Sequence, residues 1–178
     1  MITTDLSVLR KPNEIASLEE AKDIIVALEK ELAASRIPGV GLAAPQIGIR
    51  KRVAIVRTED ESIDLVNPVI LEGDHLFLYK EESCLSLPNI SVDTWRYREV
   101  FVKDDLHKAG FIGEGFISVV LQHEIDHLNS VLITDRIADK KKIGRNDKIK
   151  MVGPDGKEIE VKYKKLQQYL NQGYSQVS

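Results

Sequence analysis

A single cysteine, Cys84, stands in a chain of 178 residues. No intramolecular disulfide can form, so Cys84 is a buried apolar residue, a reactive thiol or a metal ligand. Long apolar runs are missing as well, and none approaches the roughly 20 residues that cross a bilayer. The opening "MITTDLSVLRKPNEIAS" has no basic start leading into an apolar core, and its acidic residues do not suit a transit peptide. The expectation is a cytoplasmic protein with no membrane partner. Excess charge of one sign is also absent, since 25 Lys+Arg against 28 Asp+Glu leave a net charge of -3. Such a balance gives no general attraction to DNA. No internal repeat or low-complexity segment appears. What remains is 43% hydrophobic and 30% charged residues, the proportions of an ordinary globular domain. The length suits one domain with a core of its own.

The clearest helix is "SLEEAKDIIVALEKELAAS". Ser17 and Glu20, three residues apart, form a capping box in which each side chain satisfies a free backbone donor. Leu18, Ala21, Ile25, Leu28 and Leu32 follow at spacings of three and four, and Pro38–Gly39 ends the element. Next, "GVGLAAPQIGI" is rich in glycine and small residues, which suits backbone that something approaches closely. Short β-rich runs follow: "RVAIVR", "DLVNPVIL", "HLFLYK", "NISVDTW" and "EVFVK", divided by turn-like stretches such as "EGD". Short connections predict mainly antiparallel pairing. A second helix, starting near Glu114, is apolar around most of its circumference, so it is expected at the centre with strands around it. The fold class is therefore α+β. After Arg136 the texture becomes lysine-rich. "ADKKKIGRND" reads as a connection, "KIKMV-GPDG-KEIEVKY" as a hairpin and "KKLQQYLNQGY" as a short final helix. The expected division is a main part, 1–137, and a tail, 138–178.

The central helix carries the chemistry. In "VVLQHEIDHLNS", His123 and His127 lie four apart and point the same way on a helix. H-E-x-x-H in that setting is a transition-metal arrangement with the glutamate as general base. The alternative is a pair of satisfied core histidines. A catalytic site of this kind takes a third protein ligand and keeps one position for water. No histidine follows His127, and Glu158 and Glu160 fall in the tail hairpin, which disfavours the common helical metalloprotease pattern. Upstream, Cys84 in "EESCLSLP" is the available thiolate.

Three segments, "GVGLAAPQ" (39–46), "ESCLS" (82–86) and "HEIDH" (123–127), resemble in order and spacing the signature motifs of the peptide deformylases, and "VLRKP" and "VNPVI" fit the same pattern. The resemblance covers residues 1 to about 137. It implies that Cys84, His123 and His127 bind one divalent metal with water in the fourth place, and that Glu124 is the general acid and base. It further implies that Gln46 and the Leu85 backbone N–H hold the formyl oxygen, and that Val40 and Gly41 pair with the peptide. Phe116 and Val120 would line the methionine pocket. The implied ion is ferrous iron, with zinc found after purification; nickel and cobalt suit the same donors. The implied substrates are N-formylmethionyl nascent peptides, with the ribosome near its exit tunnel as a further partner. The competing readings are a catalytically reduced ribosome-associated module on the same fold, and a different metal amidase or peptidase.

Ser83 stands where the family pattern usually has glycine, and Ser91 where many members carry an arginine. Both bear on peptide fit and leave the metal chemistry intact. Asp126 either orients a ligand or pairs with Arg96, unless it faces solvent. His75 and His107 are read as surface or strand residues and Trp95 as packing. Lysines 148, 150, 157, 162, 164 and 165 form either a patch for ribosomal RNA or a soluble, protected sheet edge.

Overall fold

The structure is a computed structural model that describes residues 1–138, 148–154, 156–162, 165, 168–169, 172 and 175–176. A short helix α1 (Leu6–Leu9) and a long α2 (Leu18–Ala33) precede three strands, β1 (Gly41–Ala43), β2 (Val53–Arg57) and β3 (Ser62–Val66), which pair antiparallel in that order. A second antiparallel sheet joins β4 (Val69–Cys84), β5 (Leu87–Lys103) and β6 (Phe111–Glu114), and β6 leads directly into α3 (Gly115–Leu128). The tail contributes β7 (Lys148–Val152), β8 (Glu158–Lys162) and β9 (Ser175–Gln176), in the order β8-β7-β9.

Strand alternation explains the layering. Ala54 and Val56 of β2 face α3, where they meet Leu65, Val100, Val102, Leu121, Ile125 and Leu128. Val53 and Ile55 face the other way, onto Ala21, Ile24 and Leu28 of α2. A strand covered on both faces reads as a continuous apolar run, as "RVAIV" does. Helix α3 is thus clamped between the two sheets, and ten of its fourteen residues are buried. Polar groups also dock it. The Gln122 amide accepts from Tyr97 N–H at 3.0 Å and donates to Tyr97 carbonyl oxygen at 2.9 Å, standing in for a neighbouring strand beyond the end of β6.

Several local expectations shift. The Ser17–Glu20 box is present in both directions, but the buried stripe of α2 is Ala21, Ile24 and Leu28. Leu18 at the first turn overhangs into solvent, and Ile25 and Leu32 are only half-buried. The run "DLVNPVIL" is two strands. Pro68 offers no ladder donor, and Asn67 turns left-handed (φ 53°) while its amide brackets Ala16 from both sides. Conversely, "HLFLYK" is the continuation of β4, and "NISVDTW" and "EVFVK" are halves of β5. "EGD" (72–74) sits inside the ladder opposite Phe101, Val100 and Glu99. In the tail the hairpin forms as expected, with Met151 and Val161 buried. The β9 pairing onto β7 adds a strand that the sequence did not announce. The connection from 139 to 147 lies outside the described residues, as does most of the expected final helix.

Candidate metal centre and its cavity

Helical spacing brings the His123 and His127 rings to 5.0 Å between centroids. Cys84 ends β4, just before the two-residue turn of Leu85 and Ser86, and its Sγ lies 3.2 Å from His127 Nε2. The ligand atoms of Cys84, His123 and His127 all fall within 4.8 Å of one another, and no other such group occurs among the described residues. One thiolate and two imidazoles suit a four-coordinate divalent ion with an open position.

The surroundings prepare those donors. His123 Nδ1 meets Glu82 Oε1 at 2.7 Å, which leaves Nε2 for an ion. Burial alone would lower the pKa of His123, but the hydrogen bonds to Cys84 and Glu82 raise it to about 10. A metal must displace that proton, so its affinity depends on pH. His127 is the opposite case. Burial and the charge of His123 hold its pKa well below the ordinary value, so the ring is neutral and can donate a lone pair.

Behind the ligands lies a buried ionic chain. Glu82 accepts from Thr94 Oγ1, from Arg96 Nε at 2.8 Å and from Arg96 Nη2 at 2.6 Å. Arg96 Nη1 reaches Asp126 Oδ2 at 2.6 Å, and Arg136 also holds Asp126, at 2.7 Å. Burial would raise the Glu82 pKa, but His123 and Arg96 bring it down to about 2. Asp126 therefore pairs with Arg96 and does not face solvent. Sequence reasoning gave Glu82 no role, although a signal existed. Residues 82 and 84 share one face of a strand, as do 94 and 96, so a carboxylate was aimed beside the cysteine and an arginine beside a threonine.

Glu124 is 3% exposed, and its Oε2 has no hydrogen-bond partner among the described residues. Burial pushes its pKa up to about 7; nearby Glu82 adds to this and His123 opposes it. A carboxyl poised near neutrality can both take and return a proton. Its space is tight, because a Cβ at position 41 would collide with the Glu124 carboxylate and force it to shift. Gln46 is equally fixed. Its Oε1 accepts from Ala43 N–H at 2.8 Å, which turns its NH2 toward Ser86 Oγ at 3.2 Å and Cys84 Sγ at 3.8 Å. Ser86 was not anticipated.

Apart from His127, which lies behind Cys84, all the expected site residues line one cavity of about 350 Å³: Val40, Gly41, Gln46, Cys84, Leu85, Phe116, Val120, His123 and Glu124. Val120 is buried, while Phe116 is half exposed at the mouth. Among the described residues β1 pairs with β2 alone, so its other edge carries no strand and suits pairing with an extended chain. Ser83 also lines the cavity and stands directly opposite Ser91 in the β4–β5 ladder. His75 and His107 lie outside the site; His107 instead pairs with Asp104.

The sequence matches the family described as Polypeptide deformylase over residues 2–143. It is 45% identical over 109 residues to a peptide deformylase of Heliobacterium modesticaldum, covering 60% of this chain and 70% of that one. It is 39% identical over 115 residues to one from Symbiobacterium thermophilum, where the match covers 61% of this chain and spans 52% of that protein. Among solved structures, peptide deformylase from Thermotoga maritima superposes with a TM-score of 0.66 at 36% identity, covering 78% of this chain and 97% of that one. A class I type b peptide deformylase from Acinetobacter baumannii, bound to Met-Ala-Ser, gives 0.68 at 29% identity, covering 77% and 97%. The chain belongs to the polypeptide deformylase family.

Proposed function

We propose that this chain removes the formyl group from N-formylmethionyl peptides of newly made proteins, releasing formate and a free amino terminus. The observation that carries this reading is the buried Glu124 carboxyl, with its pKa near 7 and an unpartnered oxygen, in the same cavity as the Cys84, His123 and His127 donors. In a module without chemistry, such a carboxyl would be a cost with no return.

Cys84, His123 and His127 would hold one divalent ion, ferrous iron by preference, with zinc, nickel and cobalt fitting the same donors. Such an ion supplies Lewis acidity, bringing the pKa of a coordinated water toward neutrality. Glu124 takes the proton of the attacking water. Where the formyl oxygen gains charge, the Gln46 amide and the Leu85 N–H donate to it; losing one such donor costs about a hundred- to a thousandfold in rate. Glu124 then returns the proton to the leaving amine. Val40 and Gly41 on the open edge of β1 would pair with the peptide backbone, and Phe116 and Val120 would flank the methionine side chain. The Met-Ala-Ser held by the Acinetobacter baumannii protein supports this substrate class.

Residues 1–137 would form the catalytic unit and 138–178 its tail, working in the cytoplasm; no helix among the described residues is long and apolar enough to cross a membrane. Contact between the tail and the ribosome would have to use a mixed surface, because β8 brings Glu158 and Glu160 to the ladder positions opposite Val152 and Lys150. A niche beside the metal donors that takes a hydrogen on the acyl carbon and excludes a methyl would select formyl over acetyl. Formate release from formyl-Met-Ala-Ser, set against acetate release from acetyl-Met-Ala-Ser, tests the reading. Turnover of the formyl peptide alone is expected. Equal turnover of both would defeat it, and so would turnover of neither by metal-loaded protein.

A further inference from the structure

We infer that Asn13 is a positioning residue for His127, its amide oxygen taking the Nδ1–H of that ring through one buried water. This role rests on the deformylase reading and deepens its metal centre.

Three buried side-chain atoms lack a hydrogen-bond partner among the described residues: Glu124 Oε2, Asn13 Oδ1 and His127 Nδ1. Glu124 lines the reacting cavity, where a free oxygen has a use. The other two belong to residues already in contact. Asn13 Nδ2 donates to the His127 carbonyl oxygen at 3.2 Å and to that of Leu128 at 3.1 Å. Carbonyl oxygens only accept, so the amide nitrogen must face them and Oδ1 must point elsewhere.

The two orphans are complementary. With Nε2 turned to the ion or to Cys84 Sγ, 3.2 Å away, the neutral ring carries its proton on Nδ1 and needs an acceptor there. Asn13 Oδ1 is an acceptor with no donor. No direct bond joins them, and a buried water commonly bridges polar groups that the protein leaves unsatisfied. His123 already has its support, since its Nδ1 meets Glu82. The two imidazoles are thus held from different parts of the chain, one by β4 and the other by the segment before α2.

That segment is fastened on both sides of Asn13. Ser130 Oγ donates to the Lys11 carbonyl oxygen at 2.7 Å. Glu14 N–H donates to Arg50 carbonyl oxygen at 3.0 Å, and Arg52 N–H to Glu14 carbonyl oxygen at 2.9 Å. The side chain of Asn13 is therefore carried on a strap across the last turn of α3, where helix carbonyls lack partners of their own. Arg52 supplies an internal comparison. Its guanidinium holds the same helix end through Leu128, Asn129 and Pro68, and makes no bond to His127.

Asn13→Ala and Arg52→Met separate positioning of the ring from plain support of the helix end. In metal-free protein, imidazole nitrogen chemical shifts read the tautomer. His127 should carry Nδ1–H in the parent and in Arg52→Met, and Asn13→Ala should lose that preference. Zinc affinity, measured by competition with a chromophoric chelator, should fall by about 10–100-fold in Asn13→Ala and stay close to the parent's in Arg52→Met. A crystal structure should place an ordered water between Asn13 Oδ1 and His127 Nδ1; an apolar side chain filling that space would overturn the bridge. A parent-like tautomer in Asn13→Ala, or a loss of zinc affinity no greater than in Arg52→Met, would overturn the role of Asn13. A parent that binds no zinc would instead overturn the metal centre, and the tautomer would still decide Asn13.

Discussion

Replacing Glu82 by glutamine probes the ionic chain behind the metal ligands. The carboxylate is 4% exposed and receives Thr94 Oγ1, two Arg96 nitrogens and His123 Nδ1. Arg96, 2% exposed, would be left with Asp126 alone. Removing one partner of a buried ion pair typically costs about 3–5 kcal/mol, because the remaining charge is uncompensated. Arg96→Met should cost a similar amount, since it leaves Glu82 and Asp126 as facing buried acids. The double variant has no stranded guanidinium, so it should lose at least about 2 kcal/mol less than the sum of the singles. Urea unfolding of the four proteins at pH 7, followed by circular dichroism, measures the cycle. A second effect should accompany the first. With Nδ1 of His123 unanchored, metal affinity in Glu82→Gln should fall by about 10–100-fold. Additive losses, or a loss below about 1 kcal/mol for Glu82→Gln, would refute the claim that Glu82 both neutralises Arg96 and orients His123.

Two further outcomes follow from the same structure. Gly41→Ala inserts a methyl against the Glu124 carboxylate; if overpacking of this kind, about 1–3 kcal/mol, falls on the reacting geometry, kcat should drop by about five- to 150-fold while metal content, read by elemental analysis, stays intact. Wild-type kcat in that variant would show that the corner is looser than described. Glu20 has its pKa lowered to about 2 from the ordinary 4.5, chiefly by the Ser17 backbone N–H and then by Lys51. A depressed carboxylate stabilises the fold above its unfolded pKa, and that contribution is lost as pH falls from 4.5 toward 2. Glu20→Gln should therefore flatten the acid limb of the stability curve, and an identical limb in both proteins would contradict the capping-box account.

The proposed metal ligands stood out because their chemistry needs rare residue types at fixed spacing: two histidines at helical period and the one cysteine. Glu124, proposed as the acid-base, was picked out by its adjacency to His123. Glu82, Ser86 and Arg96 were harder, because their roles depend on which strand lies opposite. Residues 82 and 96 meet only through a hairpin whose register slips between Tyr79 and Glu82. The arm of β4 and β5 was hidden for a related reason. Its "EGD" segment has the composition of a turn, yet it runs in an exposed ladder where polar side chains have no penalty. The α2 stripe was misplaced by a fraction of a turn, since sequence period gives a helix an apolar face but not its rotation against β2. Asn67–Pro68 ended β3 through a backbone break that apolar character alone could not reveal.

The proposed reaction needs one ion, three ligands and one acid-base together. Its most direct test purifies the parent and Glu124→Gln without oxygen, then measures metal per chain by elemental analysis and formate released from formyl-Met-Ala-Ser. About one divalent ion per chain is expected in both proteins, with turnover lower by about a hundred- to ten-thousandfold in the variant. Formate release by a parent stripped of metal, or undiminished release by Glu124→Gln, would contradict it.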